Sequence, residues 1–331
     1  PSPLTFEGHD TVVKLWAAKC AERGATTAHR EKDFGIWQAY SWTDWFEKSR
    51  AIGLGLMEMG LTRGTPVSIL SEDNKEWLYC DLAVSAVGGI PSGVYTTDSA
   101  SQLEYLVNDS DSAFLFVEND EQLDKYLEIA DQVPHLEKVI IYDRDGLHGL
   151  QQDKCIFIED LIELGRAYEA KIPGAFESEI AKSQPEDTAM LIYTSGTTGS
   201  PKGALHGHRV LTGHLPGVSL SHDVLGQDGD CLWTPADWAW IGGLFDVAMP
   251  ALALGVPVVA ARLTKFSPDA CARIIREGDV RNVFFPPAAL RMLMAEGATI
   301  AGLRSVASGG EPLGAEMLAW GQQAFGLSIN E

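Results

Sequence analysis

The sequence has 331 residues, 45% of them hydrophobic, which is enough for two globular lobes with full cores. It carries 25 basic and 46 acidic residues, and the net charge of −21 argues against nucleic acid or an anionic membrane as a partner. The five scattered cysteines are never in C-x-x-C spacing, which predicts reduced thiols and a cytoplasmic location. The most apolar stretch, residues 241–261, contains an aspartate and two prolines, so we expect a buried helix and strand there and no membrane span.

Strands and helices alternate along the chain, which predicts an α/β protein built from two doubly wound β/α lobes. A helix at 10–23, a hairpin at 25–42 and a helix from Thr43 to about Gly60 come first. Further strands are predicted at 67–70, 90–95, 113–117 and 138–142, and, in a second alternation that starts at Ala189, at 231–234, 256–260, 282–285 and 305–307. Further helices are predicted at 74–87, 99–108, 121–132, 208–220, 243–254, 267–278, 287–296 and 314–325.

The polar segment 171–187 contains a Pro-Gly pair and several charges, and it predicts the joint between the lobes. We therefore place the first lobe at residues 1–180 and the second at 181–331. The second lobe begins with a short apolar run, residues 190–192, that is typical of a buried strand.

The stretch that follows this run, residues 193–203, reads Tyr-Thr-Ser-Gly-Thr-Thr-Gly-Ser-Pro-Lys-Gly. Its glycines can take positive φ and let several backbone N–H groups face one point. Its threonine and serine hydroxyls add donors, and Lys202 adds a mobile positive charge. Such a loop is typical of a polyphosphate site. A flexible linker fits less well, because linkers seldom follow directly on a buried strand.

The loop is not a Walker A motif. That motif requires a second glycine five positions after the first, and here the residue five positions after Gly196 is Pro201, which has no N–H to offer a phosphate. The stretch instead resembles the signature loop of the adenylate-forming superfamily, Y-T-S-G-T-T-G-x-P-K-G, at every position. The resemblance implies an α/β N-terminal domain that binds ATP while a carboxylate attacks its α-phosphate and pyrophosphate leaves.

Position by position, the resemblance assigns ATP contacts and catalysis to this loop. Catalytic stabilisation of the leaving phosphates falls to Lys202, Thr197 and Thr198. The ATP contacts it implies are Thr194, Ser195, Gly196, Thr197, Thr198, Gly199 and Lys202.

A second segment, Ser308 to Leu313, resembles the superfamily's G-E-P turn, which lies along the adenine. Gly310, Glu311 and Pro312 are its matching residues. A glycine pair after a strand lets the backbone approach a flat ring, although an ordinary strand-to-helix turn would have a similar composition.

A third segment, beginning at Asp237, resembles the acyl-pocket segment D-x-G-W-x-x-G of acetyl-CoA synthetases. The residues that it assigns to the substrate pocket are Trp238, Trp240, Ile241, Gly242 and Gly309. The small residues at Gly242 and Gly309 predict room for more than acetate. The alternative is that the two tryptophans simply belong to the hydrophobic core.

Residues 63–74 and 108–110 resemble long-chain fatty acyl-CoA synthetases, and the chain from Trp233 onward resembles acetyl- and medium-chain members.

His206 and His208 could share one face of a strand, but no cysteine or carboxylate cluster completes a ligand set, so we predict no metal ligands.

In the superfamily, the segment that matches Glu331 is followed by the glutamate that holds magnesium, by the ribose contacts and by a C-terminal domain with a catalytic lysine. We therefore expect the C-terminal domain to be absent and the 331-residue chain by itself to be inactive.

The sequence thus predicts the N-terminal part of an AMP-forming acyl-CoA synthetase, acting on a fatty or other carboxylic acid with ATP, Mg²⁺ and CoA. An amino-acid-activating adenylation domain, with a carrier protein as acceptor, is an alternative. A non-catalytic nucleotide-binding fragment is another. The sequence makes no prediction of the oligomeric state.

Overall fold

The computed structural model describes residues 4–194, 200–261, 263 and 265–331. The helices are α1 (Val12–Arg23), α2 (Trp42–Glu58), α3 (Lys75–Ala86), α4 (Ala100–Ser110), α5 (Asp120–Ile129), α6 (Ile158–Lys171), α7 (Ala175–Lys182), α8 (Arg209–Ser221), α9 (Ile241–Gly243), α10 (Met249–Leu254), α11 (Pro268–Glu277), α12 (Pro287–Ala295) and α13 (Gly314–Phe325). A 3₁₀ turn (Ala130–Gln132) follows α5, and a π-helical turn (Leu244–Ala248) joins α9 to α10.

The strands are β1 (Thr27–Asp33), β2 (Ile36–Ser41), β3 (Pro66–Leu70), β4 (Ile90–Val94), β5 (Phe114–Val117), β6 (Lys138–Ile141), β7 (Cys155–Phe157), β8 (Thr188–Thr194), β9 (Lys202–Gly207), β10 (Leu232–Trp233), β11 (Val258–Ala260), β12 (Asn282–Phe284), β13 (Ser305–Ala307) and β14 (Ile329–Asn330). The predicted α/β class is confirmed. No helix in the described ranges is long and apolar enough to cross a membrane.

The first compact unit comprises residues 4–17, 44–72 and the described part of 76–210. Its main sheet, as far as the structure describes it, has five parallel strands in the order β4-β3-β5-β6-β7. The strands are largely apolar, as in β5, where all four residues are apolar and buried. Such continuous apolar runs are expected of parallel strands that are covered on both faces.

The same unit contains the antiparallel hairpin β8–β9. The buried strand predicted at 190–192 is confirmed as part of β8. The prediction that this strand opens a β/α alternation is wrong, because β9 pairs with it directly. The segment between the two strands is too short for a parallel crossover, which needs a dozen or more residues, so only antiparallel pairing is possible.

The second compact unit comprises residues 18–43, 73–75 and the described part of 211–331. Its sheet, counted over the described residues, has seven strands in the order β14-β13-β12-β10-β11-β1-β2. The pairings are parallel except between β1 and β2, which form a hairpin at the sheet edge. β1 therefore joins strands that lie more than two hundred residues later in the sequence.

The predicted boundary at residues 180/181 and the division into compact units differ over residues 18–43, 73–75 and 181–210. The hairpin β1–β2 belongs with the second unit because β1 pairs with β11. The hairpin β8–β9 belongs with the first, where the Ser85 hydroxyl donates a 3.2 Å hydrogen bond to the Ala189 carbonyl. The predicted joint at 171–187 contains α7, and the Pro-Gly pair within it separates two helices, with Gly174 at φ +78°.

Candidate functional site

The phosphate loop predicted from the sequence is closed by the ends of β8 and β9. The register of this hairpin sets Thr194 opposite Lys202, and both residues are exposed. Residues directly opposite each other in an antiparallel pair project to the same face of the hairpin. The structure thus brings together the two ends of the predicted ATP-binding loop. The loop residues Ser195, Gly196, Thr197, Thr198 and Gly199 lie outside the described residues, and their contacts stay predictions.

Helix α4 holds both ends of this loop. The Tyr105 hydroxyl donates a 2.8 Å hydrogen bond to the Pro201 carbonyl, at the start of β9. The Asp109 carboxylate accepts a 2.7 Å hydrogen bond from the Tyr193 hydroxyl, at the end of β8. Tyr105 and Asp109 are four residues apart and so lie on one face of the helix. They form a clamp, the α4 clamp, on the two strands that carry the loop.

The protonation of Tyr193 suits this arrangement. Burial raises the pKa of Tyr193, and the hydrogen bond to Asp109 raises it further. The phenol therefore stays protonated at neutral pH and acts as the donor.

The α4 clamp was not predicted from the sequence. The four-residue spacing of Tyr105 and Asp109 in a predicted helix is the signal that could have indicated it.

The base of the hairpin is fixed by His208. Its Nδ1 accepts a 3.3 Å hydrogen bond from the backbone N–H of Val12, in the first turn of α1. Burial lowers the pKa of His208 to about 4, so the ring is neutral at pH 7. His208 therefore has a structural role in this unit. In the described ranges, no group of three or more His, Cys, Asp or Glu side chains is placed to hold a metal ion.

The predicted adenine turn, in the second unit, links β13 to α13. The Ser308 hydroxyl donates a 2.7 Å hydrogen bond to the Phe285 carbonyl and fixes the start of the turn. Gly310 has φ +104°, a conformation that residues with a Cβ rarely adopt. The Glu311 carboxylate pairs with Arg291 at 2.9 Å, and both side chains are largely exposed. Pro312 follows at the surface, and the contact of this turn with adenine stays a prediction.

The tryptophans predicted to line the substrate pocket occupy different environments. Trp238 is fully buried, and its backbone N–H donates a 2.9 Å hydrogen bond to Asp73. Trp240 is half-buried, and its ring centroid lies 6.3 Å from that of Phe284. A Cβ on Gly242 would come within 2.3 Å of the Trp240 ring. The Trp240 ring therefore fills the space beside Gly242.

A cavity of about 440 Å³ opens in the second unit between α8 and the carboxyl ends of β12 and β13. Its lining residues are Gly213, His214, Gly217, Val218, Ser221, His222, Asp246, Phe284, Ala307, Ser308, Gly309, Gly310 and Glu331. Of the five predicted pocket residues, Gly309 lines this cavity. Trp240 packs against Phe284, which is itself part of the lining. Ile241 and Gly242 belong to α9, next to Trp240.

Asp246 is a lining residue that sequence reasoning missed. It lies in the π-helical turn, an irregularity that is frequent at functional sites. Burial raises the pKa of its carboxyl, while His214 opposes this rise. An acidic residue in the apolar run 241–261 is the sequence signal that could have indicated it.

Comparisons with known proteins show which family the chain resembles over most of its length. A family model described as AMP-binding enzyme matches residues 15–330. A long-chain-fatty-acid–CoA ligase of Xenopus laevis is 32% identical over 203 residues, 61% of this chain and 27% of the relative. A long-chain-fatty-acid–CoA ligase of Mycobacterium bovis is 29% identical over 232 residues, 70% of this chain and 37% of the relative. The chain thus spans well under half the length of these curated relatives.

Two solved structures share the fold. A crystal structure of an anthranilate CoA ligase with anthranoyl-AMP aligns with a TM-score of 0.81 at 21% identity, covering 99% of this chain and 59% of that one. The luciferase-like enzyme of the mealworm Zophobas morio aligns with a TM-score of 0.77 at 18% identity, covering 99% and 73%. At these identities the alignments show a common fold.

Proposed function

We propose that this chain, which belongs to the family of AMP-binding enzymes, binds ATP and a fatty or other carboxylic acid and joins them as an acyl-adenylate for transfer to CoA. The observation that carries the proposal is the hairpin β8–β9. Its register sets Thr194 opposite Lys202 at the ends of a Gly-, Ser- and Thr-rich loop, and α4 holds both strands. CoA as acceptor is supported by the names of the curated relatives, which are CoA ligases.

The chemistry requires two anions to meet. A carboxylate oxygen attacks the α-phosphorus of ATP, the bond to the bridging oxygen breaks, and pyrophosphate leaves with its electron pair. The CoA thiol then attacks the acyl carbon, and AMP leaves with the carboxylate oxygen. Stabilising the negative charge is the main catalytic task in the first step.

We assign that task to Lys202. Its exposure beside the loop supports the assignment, because the ammonium group would be free to contact the β- and γ-phosphates. The net charge of −21 does not draw ATP toward the chain, so local donors have to supply the attraction. Thr197 and Thr198 would add hydroxyl donors.

The other predicted residues complete the proposal. Gly310, Glu311 and Pro312 would lie along the adenine, and the cavity beside Gly309 would take the acyl group. Mg²⁺ would accompany the ATP phosphates, but the described residues include no metal-binding group, so we assign it no protein ligand. We also propose a cytoplasmic location, which the five free cysteines support.

Carboxylate-dependent exchange of labelled pyrophosphate into ATP tests this function in the protein expressed from its complete reading frame. We expect exchange that requires an added acid and falls at least tenfold in Lys202→Ala, because the loss of a bond to a charged group costs roughly 1.5–3 kcal/mol. Lys171→Ala is the matched control, since this exposed lysine pairs with Glu58 on the surface of the same unit. A folded protein without acid-dependent exchange would contradict the proposal.

A further inference from the structure

The cavity beside α8 combines open space with an unusual polar group. Gly213 and Gly217 lie one turn apart on the helix, and a Cβ at either position would meet no atom within 4 Å. A Cβ on Gly309 would only touch the Phe284 ring, at 3.7 Å. Glycines on both walls thus keep the cavity open. Its volume of about 440 Å³ lies in the range of small-molecule sites, roughly 300–1,000 Å³.

Two of the titratable groups that line the cavity have partners within the chain. The Nδ1 atom of His222 is 2.8 Å from the Ser305 hydroxyl, and burial lowers the pKa of His222 to about 4, so the ring is neutral at pH 7. The Glu331 carboxylate accepts a 2.8 Å hydrogen bond from the backbone N–H of Leu313. The fold thus provides partners for His222 Nδ1 and for the Glu331 carboxylate, whereas His222 Nε2 has no hydrogen-bond partner among the described residues.

Asp246 differs from them. Within the part of the chain that the structure describes, no hydrogen bond reaches its carboxylate, and the side chain in the cavity that acts on its pKa is His214. The His214 ring packs against Phe245, with 5.7 Å between centroids. Asp246 is half-buried and lines the cavity, so its carboxylate is accessible to a hydrogen-bond donor of a molecule bound there.

We infer that Asp246 receives a hydrogen-bond donor of the acid substrate, so that the preferred acids carry a hydroxyl or amino group away from the carboxyl that is activated. This inference rests on the proposed function, because it takes the cavity to be the acyl site. A plain aliphatic chain would fill the same space but leave the Asp246 carboxylate without a partner. A second carboxylate on the substrate would meet Asp246 with like charge.

Stable mimics of the acyl-adenylate test the inference directly. We would prepare acyl-sulfamoyl adenosines of straight-chain acids with about four to eight carbons. Every mimic then shares one nucleotide part, and the series includes the acyl length whose end group reaches the Asp246 carboxylate. Each length would have a plain, a terminal hydroxyl, a terminal amino and a terminal carboxyl form. Binding would be measured by calorimetry on the protein expressed from its complete reading frame.

At the best-fitting length, we expect the hydroxyl or the amino form to bind about tenfold or more tightly than the plain form, and the carboxyl form to bind most weakly. Preference for the amino form would assign a cationic substrate group, and preference for the hydroxyl form a neutral donor. In Asp246→Asn, the advantage of the amino form and the penalty on the carboxyl form should both shrink about tenfold, with the plain form unchanged. Asp228→Asn, at an exposed carboxylate of the same unit, should change nothing.

Two outcomes would overturn the inference, and they are distinguishable. If all mimics bind but the plain form is tightest at every length and Asp246→Asn leaves the ranking unchanged, the inference is wrong while the proposed function stands. If no mimic binds to the folded wild-type protein, the proposed function fails and the inference with it.

Discussion

The hydroxyl group of Tyr193 donates a 2.7 Å hydrogen bond to the carboxylate of Asp109. This bond ties the last buried residue of β8, directly before the predicted phosphate loop, to helix α4. Four residues earlier on the same helix, Tyr105 bonds to Pro201 at the other end of the loop. Because the α4 clamp holds both ends of the predicted loop, we expect it to set the position of the donors within the loop.

Asp109→Ala should therefore raise the KM for ATP about fivefold, which corresponds to about 1 kcal/mol for one hydrogen bond, and leave the KM for the acid unchanged. Asp109→Asn should restore much of the loss, because its amide oxygen can still accept the bond from Tyr193. Asp131→Asn, an exposed change in the same unit, is the control. Equal effects on both KM values, or no rescue by asparagine, would limit Asp109 to a general structural role.

Lys202→Ala should weaken the binding of ATP more than the binding of AMP. The ammonium group is expected to contact the β- and γ-phosphates, which AMP lacks. The loss for ATP should be at least tenfold, since a bond to a charged group contributes roughly 1.5–3 kcal/mol. Calorimetric titration of both nucleotides gives the two ratios. An equal loss for ATP and AMP would place Lys202 elsewhere on the nucleotide.

Gly309→Val should narrow the cavity and shift the preferred acid toward shorter chains. The glycine lines the cavity, and the first added carbon makes only ordinary contact with Phe284, so the remaining methyl groups take up open space. Each buried methylene that no longer fits should cost about 0.8 kcal/mol, or roughly fourfold in kcat/KM. Rates across a series of acids give the profile. A profile identical to that of the wild type would show that the acyl chain lies elsewhere.

Gly242→Ala should act differently, although both glycines were predicted to line one pocket. Its Cβ would meet the Trp240 ring at 2.3 Å, so that ring has to move. We expect a loss of stability of about 1–3 kcal/mol, as is usual for overpacking, and a change in tryptophan fluorescence. Thermal unfolding and emission spectra measure both. Unchanged stability and fluorescence would mean that the Trp240 ring does not occupy this space in solution.

The burial of His208 predicts a loss of stability in acid. Its pKa falls from an ordinary value near 6.5 to about 4 on folding, so the unfolded chain binds more protons between these values. The contribution is complete above pH 6.5 and is lost as the pH falls toward 4, for a total of about 3 kcal/mol. His208→Asn keeps an acceptor for Val12 without titrating in this range. Relative to this variant, the wild type should lose stability between pH 6.5 and 4 in denaturant titrations; parallel pH curves would contradict the assignment.

Much of the architecture could be predicted because the strands are short apolar runs bounded by turn residues. The strand predicted at 282–285 and the helix predicted at 314–325 match β12 and α13 to within one residue. The prediction was wrong for β9, whose sequence Lys-Gly-Ala-Leu-His-Gly lacks β-branched residues and is largely exposed. β9 forms because it pairs with β8 across a short loop, and the strand propensity of its own residues does not indicate this pairing.

The candidate site was predicted less completely than the fold. Motifs indicate residues that are expected to touch substrates, as at Lys202, but they carry no signal for a residue that we expect to act through another, such as Asp109. Asp246 was also missed, because its significance comes from its place in a cavity wall whose other residues are distant in the sequence. Gly242 was predicted to leave open space in the substrate pocket, whereas the structure shows that the Trp240 ring fills the space beside it.

Oxygen transfer from the acid to AMP tests the central claim most directly. The protein expressed from its complete reading frame would be incubated with ATP, CoA and an acid labelled with ¹⁸O in its carboxyl group. The masses of the products would then be measured by mass spectrometry. If the carboxylate attacks the α-phosphorus, each AMP formed carries one ¹⁸O atom from the acid, and the pyrophosphate carries none. Label in pyrophosphate or inorganic phosphate, or AMP formed without label, would contradict the acyl-adenylate account.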